Sequence, residues 1–99
     1  MPLTEFFNPK SIAVIGASKS EAKVGHTVLQ NILNSQYDGE VYPINPNDDE
    51  ILGYKAYESV LDVPSEIDIA IIVIPSKYVI PVAEECGKKG IKGLIVISA

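Results

Sequence analysis

The chain has 99 residues, 46% of them hydrophobic and 21% charged, which fits one globular domain, residues 1–99, built on a single core. Its formal net charge is −5 and all eight basic residues are lysines; this argues against nucleic acid, which asks for a basic surface and usually for arginines. No apolar run approaches the ~20 residues of a membrane span, residues 1–5 carry neither a basic flank nor an apolar stretch, and the single cysteine, Cys86, excludes an internal disulfide, so a cytoplasmic protein is expected.

Ser11-Ile12-Ala13-Val14-Ile15-Gly16 is a short apolar run ending in glycine, the pattern of a buried parallel strand. Residues 17–23 form a polar loop. From Val24 the period changes: Val24, Val28, Leu29, Ile32 and Leu33 recur on one side of a helix that should stop near Asn34 and Ser35. Tyr37-Asp38-Gly39 is a turn. Residues 40–44 read as a second strand, in which Pro43 fits only where its missing N–H falls at a bulge or a strand end. Residues 45–50 form an acidic loop in which Pro46 blocks helix. A short edge strand is predicted at Lys55-Ala56-Tyr57 and one helical turn at residues 59–63. Residues 68–74 give the clearest strand, apolar on both faces and therefore sheathed by helices. Pro75-Ser76-Lys77-Tyr78 is the loop behind it. Pro81 suits a first helical turn, so the next helix starts near Ile80, turns Val82, Ala83 and Cys86 to the core and ends at Gly87 or Gly90. Residues 93–98 form a last strand.

Strands alternating with helices at this spacing predict an α/β fold with right-handed crossovers. The expected architecture is a Rossmann-like, doubly wound parallel sheet in three αβα layers, strand order 3-2-1-4-5, with residues 55–57 as strand 3. Ligands of such sheets sit outside the carboxyl ends of the strands, at the switch point. Here that point lies between the strand ending at Gly16 and the one ending at Ile74. The loops at residues 17–23, 45–48 and 75–78 should therefore share one mouth.

An anion bound to this acidic chain needs a local site of aimed amides and lysines. Gly16 turns the chain sharply out of a strand, and Gly25 opens a helix where a missing side chain lets phosphate approach free N–H groups. On that reading valine at position 25 would spare the helix and block the ligand; if Gly25 instead serves close packing of helix against strand or a positive φ, valine would destabilise the fold. Ser18 and Ser20 offer hydroxyls, Lys19 and Lys23 charge. Eight residues separate the two glycines, unlike the G-x-G-x-x-G fingerprint, so two readings stand: an anion loop, or turn glycines with no ligand. A nicotinamide or flavin site would place an acid after the second strand to grip the ribose. Asn45-Pro46-Asn47 stands there instead, and an amide tolerates a phosphorylated ribose better than a carboxylate; Asp48 and Asp49 read as solvated.

The opening Phe6-Phe7-Asn8-Pro9-Lys10-Ser11-Ile12-Ala13-Val14-Ile15-Gly16-Ala17-Ser18 resembles the coenzyme A-binding domain of NDP-forming acyl-CoA synthetases, relatives of the succinyl-CoA synthetase α subunit. Lys23-Val24-Gly25, Tyr42-Pro43-Ile44-Asn45-Pro46, Ile51-Leu52-Gly53-Tyr54-Lys55-Ala56-Tyr57, Ile74-Pro75-Ser76-Lys77-Tyr78-Val79 and Ile95-Val96-Ile97-Ser98-Ala99 continue the likeness in order. The resemblance implies that Gly16, Ala17, Ser18, Lys19, Lys23, Val24 and Gly25 hold coenzyme A phosphates. It implies that Asn45, Pro46 and Asn47 lie beside the adenosine, and that Ile74, Pro75, Ser76, Lys77 and Ser98 flank the adenine and the pantetheine arm. The family often has lysine after the Asn-Pro pair; with Asn47 there, Lys77 or Lys23 is left to meet the ribose phosphate.

The resemblance further implies the coenzyme A-binding module of an ADP-forming acid–CoA ligase, which converts acyl-CoA, ADP and phosphate to acid, ATP and coenzyme A. Its phosphohistidine belongs to a domain beyond Ala99, so the chain reads as an N-terminal fragment, inactive alone, whose partners are coenzyme A or acyl-CoA and the remaining ligase parts. The alternative is a regulatory module sensing coenzyme A or acyl-CoA, fused for example to an acyltransferase; a nicotinamide dinucleotide domain is third. His26 is read as a helix-start residue near the ligand or in solvent, Cys86 as a small core residue, and Phe6 and Phe7 as packing the N-terminal arm. Lys88, Lys89 and Lys92 read as a solvated helix end. No His, Cys or Asp spacing points to a metal.

Overall fold

The computed structural model describes residues 8–97. In chain order its elements are β1 (Ser11–Ile15), α1 (Val24–Asn34), β2 (Glu40–Ile44), a hairpin of β3 (Glu50–Ile51) and β4 (Tyr54–Lys55), a 3-10 turn (Val60–Asp62), β5 (Ile69–Ile72), a second 3-10 turn (Ser76–Tyr78), α2 (Val79–Lys89) and β6 (Gly93–Val96). The sheet runs β2-β1-β5-β6, every pair parallel. Helices cover both faces, which is the α/β Rossmann-like arrangement read from the sequence.

Burial explains why the central strands are apolar throughout. Ala13 and Val14 of β1 and Ala70 and Ile72 of β5 are fully buried, because each strand is covered on both sides. On one face α1 brings Leu29 against Val14, Val41, Ala17 and Val73. On the other, Cys86 of α2 joins Val60, Val63 and Ile67 against Ala13, Ile15 and Ile72. Ser59 ties the first 3-10 turn to α2, donating from Oγ to Glu85 Oε1 at 2.7 Å and accepting from the Leu61 amide at 3.1 Å. At the far end of α2, Gly90 adopts φ +86° and ends the helix, its amide and that of Ile91 closing on the Cys86 carbonyl.

Strand 3 of the expected order does not form as a strand. Leu52 (φ +52°) and Gly53 (φ +83°) reverse the chain within two residues, so Lys55 pairs antiparallel with Glu50 rather than extending the sheet. Tyr57 alone reaches the sheet edge, a one-residue parallel bridge to Ile44. Its amide donates to the Pro43 carbonyl at 3.0 Å and its carbonyl accepts from the Asn45 amide at 2.8 Å. Pro43 is tolerated inside β2 for the same reason. The amide and carbonyl of one strand residue point the same way, so its absent N–H lies on this outer side and costs no bond to β1.

Two helix details also differ from expectation. Val24 is 48% exposed and stands outside the apolar stripe headed by Leu29, and α2 begins at Val79, directly after the 3-10 turn. Phe6, Phe7 and Ser98 lie outside the described residues. Among the described residues no helix is long and apolar enough to cross a membrane.

Leu29→Ala should cost ~2–5 kcal/mol in urea denaturation, the usual penalty for emptying a buried leucine site. Ile80→Ala, at a position 73% exposed, should stay within ~0.5 kcal/mol of the parent; equal losses would contradict the assigned core.

Candidate functional site

β1, β2 and β5 deliver their carboxyl ends to one place. Gly16 leaves β1 with φ +95°, a conformation open to glycine, and a side chain there would meet the Val73 carbonyl and Ile74 Cγ2. Its amide still donates to the Ile44 carbonyl at 3.0 Å, while the Val73 amide donates to Ile15 at 2.7 Å. The three strand exits are thus cross-tied before their loops diverge.

Gly25 lines the mouth and also has the close-packing role that its sequence position allowed. A Cβ on it would collide with the Gly16 carbonyl, with the carbonyl carbon at 2.8 Å and Ala17 Cα at 3.3 Å. The bare residue lets α1 start flush against the exit of β1, so valine at 25 would push the helix away rather than merely block a ligand. The amides of Val24 and Gly25 belong to the first helical turn and have no acceptor within the helix; Lys23, the N-cap, supplies no side-chain cap either.

The loop between these glycines is held by its carbonyls. Ala17 O accepts from Asn45 Nδ2 at 2.7 Å, and Ser18 O is 2.8 Å from His26 Nδ1. Ser18 Oγ accepts from the Ser20 amide at 3.0 Å, and Asn45 Oδ1 accepts from the Asn47 amide at 2.7 Å. Asn45 is therefore a brace between two loops. His26, expected beside the ligand or in solvent, is only 6% exposed and is a brace as well.

A cavity of about 680 Å³ opens on the α1 side of the sheet. Of the residues picked from the sequence it brings together Gly16, Ser18, Lys23, Val24, Gly25, Asn45, Pro46, Asn47, Ile74 and Pro75, and it adds Asp48, Val73 and Tyr78. A second cavity of about 490 Å³ lies towards α2, walled by Ile44, Val60 and Val82 with Glu58 and Glu85 at its edge. Gly16, Pro46, Asn47, Ile74, Pro75 and Tyr78 border both. Ala17 is fully buried beneath the loop, and Lys19 is exposed outside either cavity. Ser76 and Lys77 also line neither: the 3-10 turn after Pro75 swings the Lys77 ammonium over the Tyr78 ring, 5.1 Å from its centroid, and puts Tyr78 at the mouth. Sequence reasoning put Tyr78 at the mouth only as part of the 75–78 loop, did not pick it as a binding residue, and missed the second cavity. An aromatic two residues behind the Pro75-Ser76 step was the available signal.

The arrangement suits binding rather than covalent chemistry. Cys86 is buried, and that burial, helped by the Glu85 carboxylate, pushes its thiol up to about 11, so it stays protonated and unreactive. Ser18 Oγ accepts from the Ser20 amide at 3.0 Å. Clefts at the opposite end of the sheet set four carboxylates, Asp38, Glu40, Glu66 and Asp68, against Lys10, the wrong balance for an anion. Among the described residues no cluster of three His, Cys, Asp or Glu side chains could hold a metal ion.

Gly25→Ala should lower the melting temperature although alanine is the better helix former by ~1 kcal/mol. Overpacking against a fixed backbone costs ~1–3 kcal/mol or more, so the steric term wins; an unchanged or raised midpoint in a thermal melt would falsify the packing role.

Residues 10–99 match the family model of a CoA binding domain. An ADP-forming acetate–CoA ligase of Methanocaldococcus jannaschii is 55% identical over 91 residues, 92% of this chain and 13% of that protein. A 4-hydroxybutyrate–CoA ligase (ADP-forming) of Nitrosopumilus maritimus is 58% identical over 92 residues, 93% of this chain and 13% of that protein. The solved structure of a Ca. Korarchaeum cryptofilum dinucleotide-forming acetyl-coenzyme A synthetase, in complex with phosphate and ADP, superposes with a TM-score of 0.96 at 47% identity, covering 99% of this chain and 21% of that one. The chain thus spans 13–21% of the length of these three proteins. With nearly its whole length matched, and its loops gathered where an open parallel sheet takes ligands, the chain belongs to the CoA-binding domain family.

Proposed function

We propose that this chain is the coenzyme A-binding module of an ADP-forming acid–CoA ligase. The observation that carries the reading is the mouth itself: the Gly16–Gly25 approach sets two unpaired first-turn amides and Lys23 beside one cavity of a CoA-binding-family chain. A diphosphate would rest on the Val24 and Gly25 amides, where the helix dipole favours negative charge. Lys23 would supply the counter-charge. The adenosine end would lie along Pro46, Asn47, Ile74 and Pro75, whose surfaces border both cavities, with Tyr78 closing the rim. Lys23, at the cavity, is then the lysine to meet a phosphate; Lys77, turned onto Tyr78, is not. Ala17 and Asn45 serve by shaping the loops. The reacting thiol belongs to coenzyme A, so the module binds and orients it, and the acyl phosphate and nucleotide chemistry falls to other parts of the ligase.

Calorimetry should find coenzyme A binding to the 99-residue chain with no measurable competition from NAD, and the chain alone should make no acyl-CoA from acid, ATP and coenzyme A. Tighter binding of NAD than of coenzyme A would overturn the assignment.

Lys23→Ala should weaken coenzyme A binding by about tenfold or more at 0.01 M salt, and by less at 0.1 M, because the Debye length falls from ~30 Å to ~10 Å over that range. Lys77→Ala should change it by less than about twofold at either salt, below ~0.4 kcal/mol. The reverse order of the two variants would move the anion site from the α1 side of the mouth to the 3-10 turn.

A further inference from the structure

Resting on the coenzyme A reading, we infer that His26 is a positioning residue for the ligand: through one hydrogen bond it sets the phosphate-facing loop in its binding shape before the ligand arrives. The ring is buried on the first turn of α1, 6% exposed, and its Nδ1 lies 2.8 Å from the Ser18 carbonyl. A carbonyl can only accept, so Nδ1 carries the proton and the ring is held in that tautomer. Among the described residues no buried side-chain nitrogen or oxygen lacks a partner. Nε2, which makes no protein bond, therefore reaches solvent, and the ring is anchored by Nδ1 alone.

The position of that anchor gives it its effect. Residues 17–23 have no strand or helix ladder to fix them, and two side chains take hold of successive carbonyls: Asn45 on Ala17 and His26 on Ser18. Both carbonyl oxygens, which would repel an anion, are thereby occupied by donors. His26 is also the neighbour of Gly25, whose amide faces the cavity's helix terminus, so one residue couples the loop to the end of the helix that meets the phosphates. Without the bond the Ser18 carbonyl is free to turn, and ordering the loop becomes a cost of binding. His26 touches no cavity-lining space itself; it acts through Ser18.

The test compares His26→Asn, His26→Gln and His26→Leu in the 99-residue chain, each by thermal melt and by coenzyme A titration at a temperature where the melt shows it folded. The asparagine amide nitrogen sits where Nδ1 does, and the glutamine nitrogen sits one bond further, at the place of Nε2. His26→Leu and His26→Gln should each bind about tenfold more weakly, equivalent to ~1.4 kcal/mol, while His26→Asn stays within about threefold of the parent. A folded leucine variant with parental affinity, a glutamine variant as good as the asparagine one, or losses that track only the unfolded fraction would each overturn the proposal. A parent chain that binds no coenzyme A would overturn the functional reading first and this one with it, which separates that failure from the others. Nitrogen NMR of the labelled ring gives a ligand-free check: a proton on Nδ1 is expected, and a ring protonated only at Nε2 refutes the bond.

Discussion

The approach of α1 to the exit of β1 is the contact on which both the core and the mouth depend. Gly25 rests on the Gly16 carbonyl with no room for a methyl group. That places the first helical turn beside the ends of β1 and β5, and the same placement sets Leu29, one turn further along α1, into the cluster with Val14 and Val73. Sheet packing and ligand access are therefore one geometric condition. A change that lifts the helix start opens the core and displaces the first-turn amides from the cavity together.

The polar side chains around that contact are occupied with geometry. Asn45 spends its amide on Ala17 and its carbonyl on Asn47; Ser18 takes the Ser20 amide on its hydroxyl and His26 on its carbonyl. What is left at the larger cavity is main-chain N–H, Lys23, the single carboxylate of Asp48 and an apolar rim. This answers the difficulty posed by a net charge of −5. Fixed dipoles at short range outweigh a diffuse repulsive field that salt screens within ~10 Å at 0.1 M. The carboxylates Asp38, Glu40, Glu66 and Asp68 gather at the opposite end of the sheet, about as far from the mouth as the fold allows.

The parts legible in the sequence were those set by burial. β1 and β5 are apolar runs because helices cover the sheet there, while β6 is apolar in sequence yet exposes Leu94, Ile95 and Val96; the rule that ligands sit at carboxyl ends then selected the three loops that line the mouth. The edge was not legible: Lys55-Ala56-Tyr57 reads as a strand, yet the left-handed Leu52 and Gly53 turn Lys55 back onto Glu50 and leave Tyr57 a single bridge. Side-chain direction was also hidden. Lys77 and Tyr78 are adjacent, and only the 3-10 turn decides which of them lines the cavities. Gly25 was recognised as special, with a ligand contact and close packing both weighed; only the position of Gly16 shows the packing. Asn45 and His26 were weighed as possible ligand neighbours because a bond to a carbonyl 28 or 8 residues away leaves no mark in the chain.

The stiffness of the rim explains how so small a domain can hold a long, flexible, highly charged molecule. Pro46 and Pro75 stand at the border of both cavities, and each fixes φ in its loop before folding begins. Tyr57 pins the residue before Pro46 through the Asn45 amide, and the amide of Val73, two residues before Pro75, is bound to β1. The loops therefore have little entropy left to lose when a ligand settles, and that loss is what flexible lysines would have to overcome bond by bond. Two adjoining cavities, one beside main-chain amides, Lys23 and Asp48 and the other walled by Ile44, Val60 and Val82 with Glu58 and Glu85, would give the proposed ligand different surroundings along its length. Rigidity at their common border would keep the two halves of such a ligand in register, so that what one end gains on binding need not go into arranging the site for the other.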